Sequence, residues 1–240
     1  MPQDIDCIIH LAALTDVSYC QNNPVDCFQV NVYGTQNMIE IARKINSKFL
    51  YLSTSHVYGI PKALPIKEDH PRNPTSIYSA SKLAGEIVCE SYANSYDMDV
   101  SIIRLFSVYG PKSPEHLVTS RIILQSLKND SIKLGNLYPK RDFIYIKDVV
   151  CAIELVLKKT SGLSTYNIGS GKSYSILELC NVLQKISGRK IRIESIKSKA
   201  RKNDVNNVIS NNSKIRKLGW KPKTYIDSGL KETFEWFSKQ

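Results

Sequence analysis

Three short apolar runs, each ending in small or hydroxyl residues and separated by segments of helical periodicity, constrain the fold of this chain more than any other feature. The first is Asp6-Cys-Ile-Ile-His-Leu-Ala-Ala13, the second Phe49-Leu-Tyr-Leu52 leading into Ser53 and Thr54, and the third Val100-Ser-Ile-Ile-Arg-Leu-Phe106. Continuous apolar runs of this length read as parallel strands covered on both faces. Asn31 to Lys44 carries apolar residues at helical spacing, and a second helix is expected from about Ser76 to Tyr96, opened by Pro74-Thr75. Strand, helix, strand, helix, strand in this order predicts an α/β layered fold with a mainly parallel sheet.

After Phe106 the rhythm loosens. Tyr109-Gly-Pro-Lys-Ser-Pro114 reads as a loop of turn formers, and helices are predicted over Leu117–Lys128, Lys147–Lys158 and Ile176–Ile186. Thr165 to Gly169 and Ile191 to Ile196 read as strands, and Gly169-Ser-Gly171 as a turn. Lys214 to Leu218 is predicted as a short helix stopped by Gly219 and Pro222, ahead of a last amphipathic segment, Ile226 to Phe237.

Composition excludes several classes of function. No run is apolar and long enough to span a bilayer, and Met1-Pro-Gln-Asp4 lacks the layout of a signal peptide, so a cytoplasmic chain with no membrane partner is expected. The six cysteines form no Cys-x-x-Cys pair and fall mostly in apolar patterns, as reduced, buried thiols would. The four histidines are scattered, so no metal site is expected. Net charge is +11, much of the excess lying beyond residue 185, and it would attract anions, phosphorylated small molecules among them. Aromatic interleaving and a recognisable binding module are both missing there, so nucleic acid is not an expected partner.

The chemistry concentrates in Ile77-Tyr-Ser-Ala-Ser-Lys82, two dozen residues after Ser53-Thr-Ser-His-Val-Tyr-Gly59. Residues i and i+4 share a helix face, so the Lys82 ammonium can lie beside the Tyr78 phenol. A fixed cation favours phenolate and would bring a group of pKa near ~10 toward working range. Thr54, delivered from a strand end, could share the proton. The three together suit moving a proton on or off an alcohol oxygen while hydride moves on carbon.

These residues resemble the extended short-chain dehydrogenase/reductase family of nucleotide-sugar epimerases, dehydratases, decarboxylases and reductases. The resemblance runs through His10-Leu-Ala-Ala13, Asn31-Val-Tyr-Gly-Thr35, Ser53-Thr54, Tyr78 with Lys82, Arg104-Leu-Phe-Ser-Val-Tyr-Gly-Pro111, Arg141-Asp-Phe143 with Asp148, and Leu218-Gly-Trp-Lys-Pro222. It implies Thr54, Tyr78 and Lys82 as catalytic residues, with NAD or NADP as cofactor. Leu11, Ala12, Ala13, Thr15, Asn31, Ser53 and Phe106 would line that cofactor together with Tyr78 and Lys82. A nucleotide-diphosphate sugar would meet Ser55, His56 and Ser107, its diphosphate clamped by Arg141 and Arg201, whose planar forks suit phosphate. Pairing into a homodimer through the helices of residues 31–44 and 76–96 is implied as well.

The departures from the family pattern carry information too. Ser107 stands where many members have asparagine. Dehydratases follow the threonine with Asp-Glu, whereas this chain has Ser55-His56, which disfavours dehydration. The family's Gly-x-x-Gly-x-x-Gly turn, which cradles the cofactor pyrophosphate, does not occur in this sequence, so an N-terminally truncated Rossmann-type sheet is expected, from a shortened gene product or a misplaced start. The expected division is a dinucleotide-binding domain of residues 1–106, with 143–168 returning to it, and a smaller C-terminal α/β substrate domain of 107–142 and 169–240. The expected activity is a nucleotide-sugar 4-epimerase. A 4-keto-6-deoxysugar reductase and a catalytically silent binding module are the alternatives.

Overall fold

The computed structural model describes residues 4–196 and 205–240. It has a Rossmann-like parallel sheet with additional, smaller α/β elements, and it divides into two compact units.

The first unit comprises Met1–Leu105, Cys151–Ile168 and Asn211–Trp220. Its sheet is wholly parallel, in the order β1 (Cys7–His10), β2 (Lys48–Thr54), β3 (Val100–Leu105), β7 (Leu163–Ile168). Phe49 pairs with Val100 and Thr54 with Leu105, so β2 and β3 run in register to the residue that carries the candidate hydroxyl. β2 and β3 are nearly continuous in burial, as their apolar runs require. β1 departs from expectation. It pairs only with β2 and stops at His10, leaving Ile9 partly exposed and Leu11 and Ala12 open to solvent.

Two short helices precede the first long one. Asp16 caps α1 (Val17–Asn22) by accepting from the Ser18 and Tyr19 amides at 2.7 and 3.1 Å. Pro24 opens α2 (Pro24–Phe28), where a missing N–H costs nothing. A π-helical turn, Gln29–Tyr33, then runs straight into α3 (Gly34–Lys44), so the helix expected from Asn31 begins seven residues earlier, at Pro24. α4 (Ile77–Tyr96) starts at a reciprocal cap: the Ser79 amide donates to the Ser76 hydroxyl at 3.2 Å, and the Ser76 amide to that of Ser79 at 3.0 Å. Ile39, Ala42, Cys89 and Ala93 from α3 and α4 pack on Phe49, Tyr51, Val100 and Ile102 of the sheet. α8 (Ser213–Arg216) completes the unit. The six thiols are unpaired; Cys20, Cys27, Cys89 and Cys180 are buried, while Cys151 is exposed, against its apolar pattern.

The second unit comprises Phe106–Val150, Gly169–Ser210 and Lys221–Gln240. Residues 143–150 therefore cluster here and 211–220 with the first unit, unlike the division expected above. β4 (Ser107–Tyr109), β6 (Lys140–Tyr145) and β10 (Asn207–Val208) are parallel, with β8 (Ser173–Ser175) antiparallel on β6, while β5 (Ser131–Leu134) pairs with β9 (Arg192–Ser195). α5 (Val118–Lys128), α7 (Ile176–Ser187) and α9 (Ile226–Phe237) follow the predicted periodicity, as does α6 (Ile146–Lys159), whose residues from Cys151 on cluster with the first unit. The core of the unit draws on Ile122, Ile123, Ile132, Phe143, Leu179, Leu183 and Leu230. Among the described residues, no helix is long and apolar enough to cross a membrane.

Asp142 is the polar centre of this second unit. Fully buried, it accepts from the Ser170 amide and hydroxyl at 2.6 Å each, the Gly171 amide at 3.0 Å, and the Ser210 amide and hydroxyl at 3.0 and 2.6 Å. The Gly169–Gly171 turn thus wraps a carboxylate. Removing that carboxylate strands several buried donors at once, so Asp142→Ala is expected to lower folding free energy by about 3 kcal/mol or more, read from urea denaturation.

Candidate active site

Thr54, Tyr78 and Lys82 all lie in the first unit, and the junction of β2 with the start of α4 brings them together. Thr54 ends β2 in an extended conformation, and its hydroxyl accepts from the His56 amide at 3.2 Å, capping the 3-10 turn Ser55–Tyr58. Tyr78 is the second residue of α4 and Lys82 follows one turn later. The Thr54 hydroxyl acts electrostatically on the Tyr78 phenol, and the His56 ring meets the Tyr78 ring edge-on, centroids 6.0 Å apart. Ser55 is buried and His56 exposed.

The electrostatics differ from the expectation that Lys82 lowers the Tyr78 pKa. Burial pushes the phenol up to about 12, Thr54 draws it partly back, and the nearby Cys20 and Cys27 thiols add to the rise. Burial also brings Lys82 down to about 8, against partial support from Cys89, Glu86 and Cys27. Its ammonium lies over the Tyr51 ring, 4.2 Å from the centroid. For both groups desolvation is the largest cause of the shift.

The other expected site residues divide into open and committed groups. Leu11, Ala12 and Thr15 are exposed and Ala13 partly so, in the stretch that follows β1. Asn31 is buried and its amide is spent within the protein: it accepts from the Leu14 amide at 2.8 Å and donates to the Leu14 carbonyl at 3.0 Å and the Ser81 hydroxyl at 2.9 Å. Asn31 therefore fixes the 11–15 stretch onto α4. Ser53 is likewise committed, its hydroxyl donating to Glu86. Phe106, Ser107 and Arg141 belong to the second unit. Phe106 is buried, Ser107 half-buried on β4, and one Arg141 nitrogen donates to the Lys140 and Val205 carbonyls at 2.9 and 2.6 Å. Arg201 lies outside the described residues.

Glu86 was not among the residues singled out from sequence. Fully buried on α4, it receives Arg104 of β3 through Nε at 3.0 Å and Nη2 at 2.8 Å, and Arg72 at 3.2 Å, beside the Ser53 hydroxyl. Arg104 also donates to the Tyr58 hydroxyl and the Glu68 carbonyl, each at 2.8 Å, and Tyr58 donates to Asn167 at 2.7 Å. A signal existed: Tyr78, Lys82 and Glu86 are spaced by four and share one helix face, and a carboxylate on a core-facing stripe is buried only when paired.

Comparison with known proteins places this geometry in a family. The sequence model of the GDP-mannose 4,6 dehydratase family matches residues 2–233, and the chain belongs to that family, within the extended short-chain dehydrogenase/reductases, enzymes of the NAD(P)-dependent epimerase/dehydratase type. dTDP-D-glucose 4,6-dehydratase of Mus musculus is 34% identical over 246 residues, 99% of this chain and 69% of that protein. Among solved structures, RMD from Pseudomonas aeruginosa complexed with NADPH is similar with a TM-score of 0.92 at 28% identity, over 99% of this chain and 83% of that one. UDP-glucuronic acid 4-epimerase from Bacillus cereus, in complex with UDP-glucuronic acid and NAD, gives 0.92 at 30% identity, over 99% and 76%. Nucleotide-sugar epimerase/dehydratase chemistry is the ground these proteins share.

The lowered pKa of Lys82 has a consequence for stability. Below about pH 8 the residue is protonated in both folded and unfolded chains, so the burial penalty is felt in full. Between about 8 and the ordinary 10.5 the folded chain sheds a proton that the unfolded chain keeps, and the penalty fades. Lys82→Met is therefore expected to stabilise the protein at neutral pH by up to about 3 kcal/mol, the gain shrinking as pH rises through that window, as measured by denaturation at a series of pH values.

Proposed function

We propose that the chain is an NAD(P)-dependent nucleotide-sugar 4-epimerase, working by transient oxidation at C4 of the sugar. The observation that carries this reading is the Thr54 hydroxyl at the end of β2 against the Tyr78 phenol at the start of α4, with Lys82 one helical turn further on. The residues fit a nicotinamide cofactor. Lys82 offers a nearly buried ammonium that donates no hydrogen bond to a described residue, suited to ribose hydroxyls, and the exposed Leu11–Ala12 stretch lets a ligand approach the backbone. When bound, the nicotinamide supplies a hydride acceptor and donor. Tyr78 takes the proton from the C4 hydroxyl and later returns it, and Thr54 shares that proton. Lys82 supplies the positive charge that phenolate needs.

Ser107, Arg141 and Arg201 are the groups we assign to the sugar nucleotide, with Ser55 and His56 beside the sugar. The epimerase reading is favoured over dehydration by Ser55-His56, which replaces the carboxyl pair that removal of water requires. Reduction of a 4-keto-6-deoxysugar is the second reading, favoured by the likeness to RMD complexed with NADPH. We extend the proposal to a homodimer formed through α3 and α4, where Ile87 and Tyr96 are exposed; light scattering at micromolar concentration should give twice the monomer mass.

Incubation with UDP- and dTDP-sugars and NAD(P), followed by NMR of the C4 proton, tests the activity. Interconversion of C4 epimers without net loss of cofactor is expected. Stoichiometric loss of absorbance at 340 nm when a 4-keto sugar nucleotide is supplied with NADPH would replace epimerisation by reduction. Tyr78→Phe should lower kcat by ~10²–10⁴-fold, as for loss of a general acid–base, with KM changed far less.

A further inference from the structure

Lys82 carries its charge in a restricted setting. Only 4% exposed, it presents its ammonium to the face of Tyr51 at 4.2 Å from the ring centroid. Tyr51 is fully buried in β2, under α4. Its hydroxyl donates to the Lys82 carbonyl at 3.2 Å, so the ring is tied to the residue whose side chain lies on it. Gly85, one turn along α4, makes the space: a Cβ there would collide with the Tyr51 hydroxyl. Two contacts and one gap thus define a single pair.

The other groups facing Lys82 do not replace the ring. Tyr78, Glu86 and Cys89 lie on α4, Cys27 on α2 and His10 on β1. Cys89 is held neutral by burial and His10 is kept from protonation by burial and by Lys82 itself. The Glu86 oxygens are taken by Ser53, Arg72 and Arg104. An ammonium short of water and of an acceptor is stabilised by the negative face of an aromatic ring.

We propose that Tyr51 is a positioning residue for the reaction, its ring face holding the Lys82 ammonium charged and in place one helical turn from Tyr78. The proposal deepens the reading of Lys82 as the cation of the site and rests on it. Nothing in the sequence marks Tyr51, which reads as an ordinary core aromatic in a buried strand.

The test is direct titration of Lys82 by ¹³Cε NMR of the intact chain, in the wild type, Tyr51→Phe, Tyr51→Met and a variant carrying a trifluorinated phenylalanine at position 51. The Lys82 signal is assigned by its loss in Lys82→Met. Tyr51→Phe keeps the ring and should titrate with the wild type. Tyr51→Met and the fluorinated ring should both titrate lower, by roughly one pH unit. The fluorinated variant has nearly the shape of phenylalanine, so it reads the ring's charge distribution even where Tyr51→Met fails to fold. An unchanged or raised midpoint with the fluorinated ring would overturn the proposal, as would a fall in Tyr51→Phe equal to that of the fluorinated variant. This readout needs neither cofactor nor turnover. If the titration shifts as stated while no sugar is converted, the positioning role stands and the epimerase reading fails.

Discussion

The buried pair of Glu86 and Arg104 is the interaction on which the first unit's chemistry depends. Each charge taken from water costs several kcal/mol, and that cost is offset only when every remaining hydrogen-bonding position is filled. Here the filling is nearly complete. Ser53 and Arg72 join Arg104 on the carboxylate, while Tyr58 and the Glu68 carbonyl take the outer guanidinium nitrogen. The partners come from β2, β3, α4 and the segment between β2 and α4, so the network sets how α4 lies on the sheet. It therefore also sets the place of Tyr78 against Thr54, since Ser53 is the residue before Thr54 and Tyr78 lies two turns before Glu86 on the same face.

The same network bears on the state of Lys82. Burial brings the Lys82 pKa down, and Glu86, one turn away but bonded to arginine and serine, opposes that fall only through its charge. The ring of Tyr51 compensates only in part. The low polarity that depresses Lys82 also raises Tyr78. Tyr78 and Lys82 are thus drawn toward their neutral forms by one cause, and groups that bring hydrogen bonds or charge to either would act against it.

Much of this was legible in the sequence. The continuous apolar runs of β2 and β3 located both strands almost to the residue, because a strand buried on both faces leaves a strong pattern, and Pro74-Thr75 marked the start of α4. Several shorter elements left much less. α1 and α2 are six and five residues long, and only the Asp16 cap and Pro24 announce them. β4, β8 and β10 have two or three residues each, too few for any period. Motif spacing located Thr54, Tyr78 and Lys82 but could not tell a side chain open to a ligand from one spent inside. Asn31 and Ser53 are the spent kind: both fit the pattern of ligand contacts, and both are bonded within the protein. The sign of the Tyr78 shift was missed for a related reason. Spacing shows that a lysine is near, whereas the pKa depends on how much water both groups have lost.

The residues after Thr54 bear on which reaction the triad serves. In the epimerisation we propose, oxidation and return of hydride at C4 move one proton, at the C4 oxygen, and Tyr78 with Thr54 would supply one proton-transfer pair. Eliminating water next to a transient ketone moves two more, one from carbon and one to the departing oxygen, and needs an acid and a base held beside the sugar. Ser55 is buried, and its hydroxyl is a poor base at neutral pH. His56 is exposed with its ring edge-on to Tyr78, so a single titratable group stands where two would be required. One fold and one triad can serve several chemistries because the first step is common to all of them. The number of further protons that can be moved separates them, and it is on that count that we propose a reaction ending at C4.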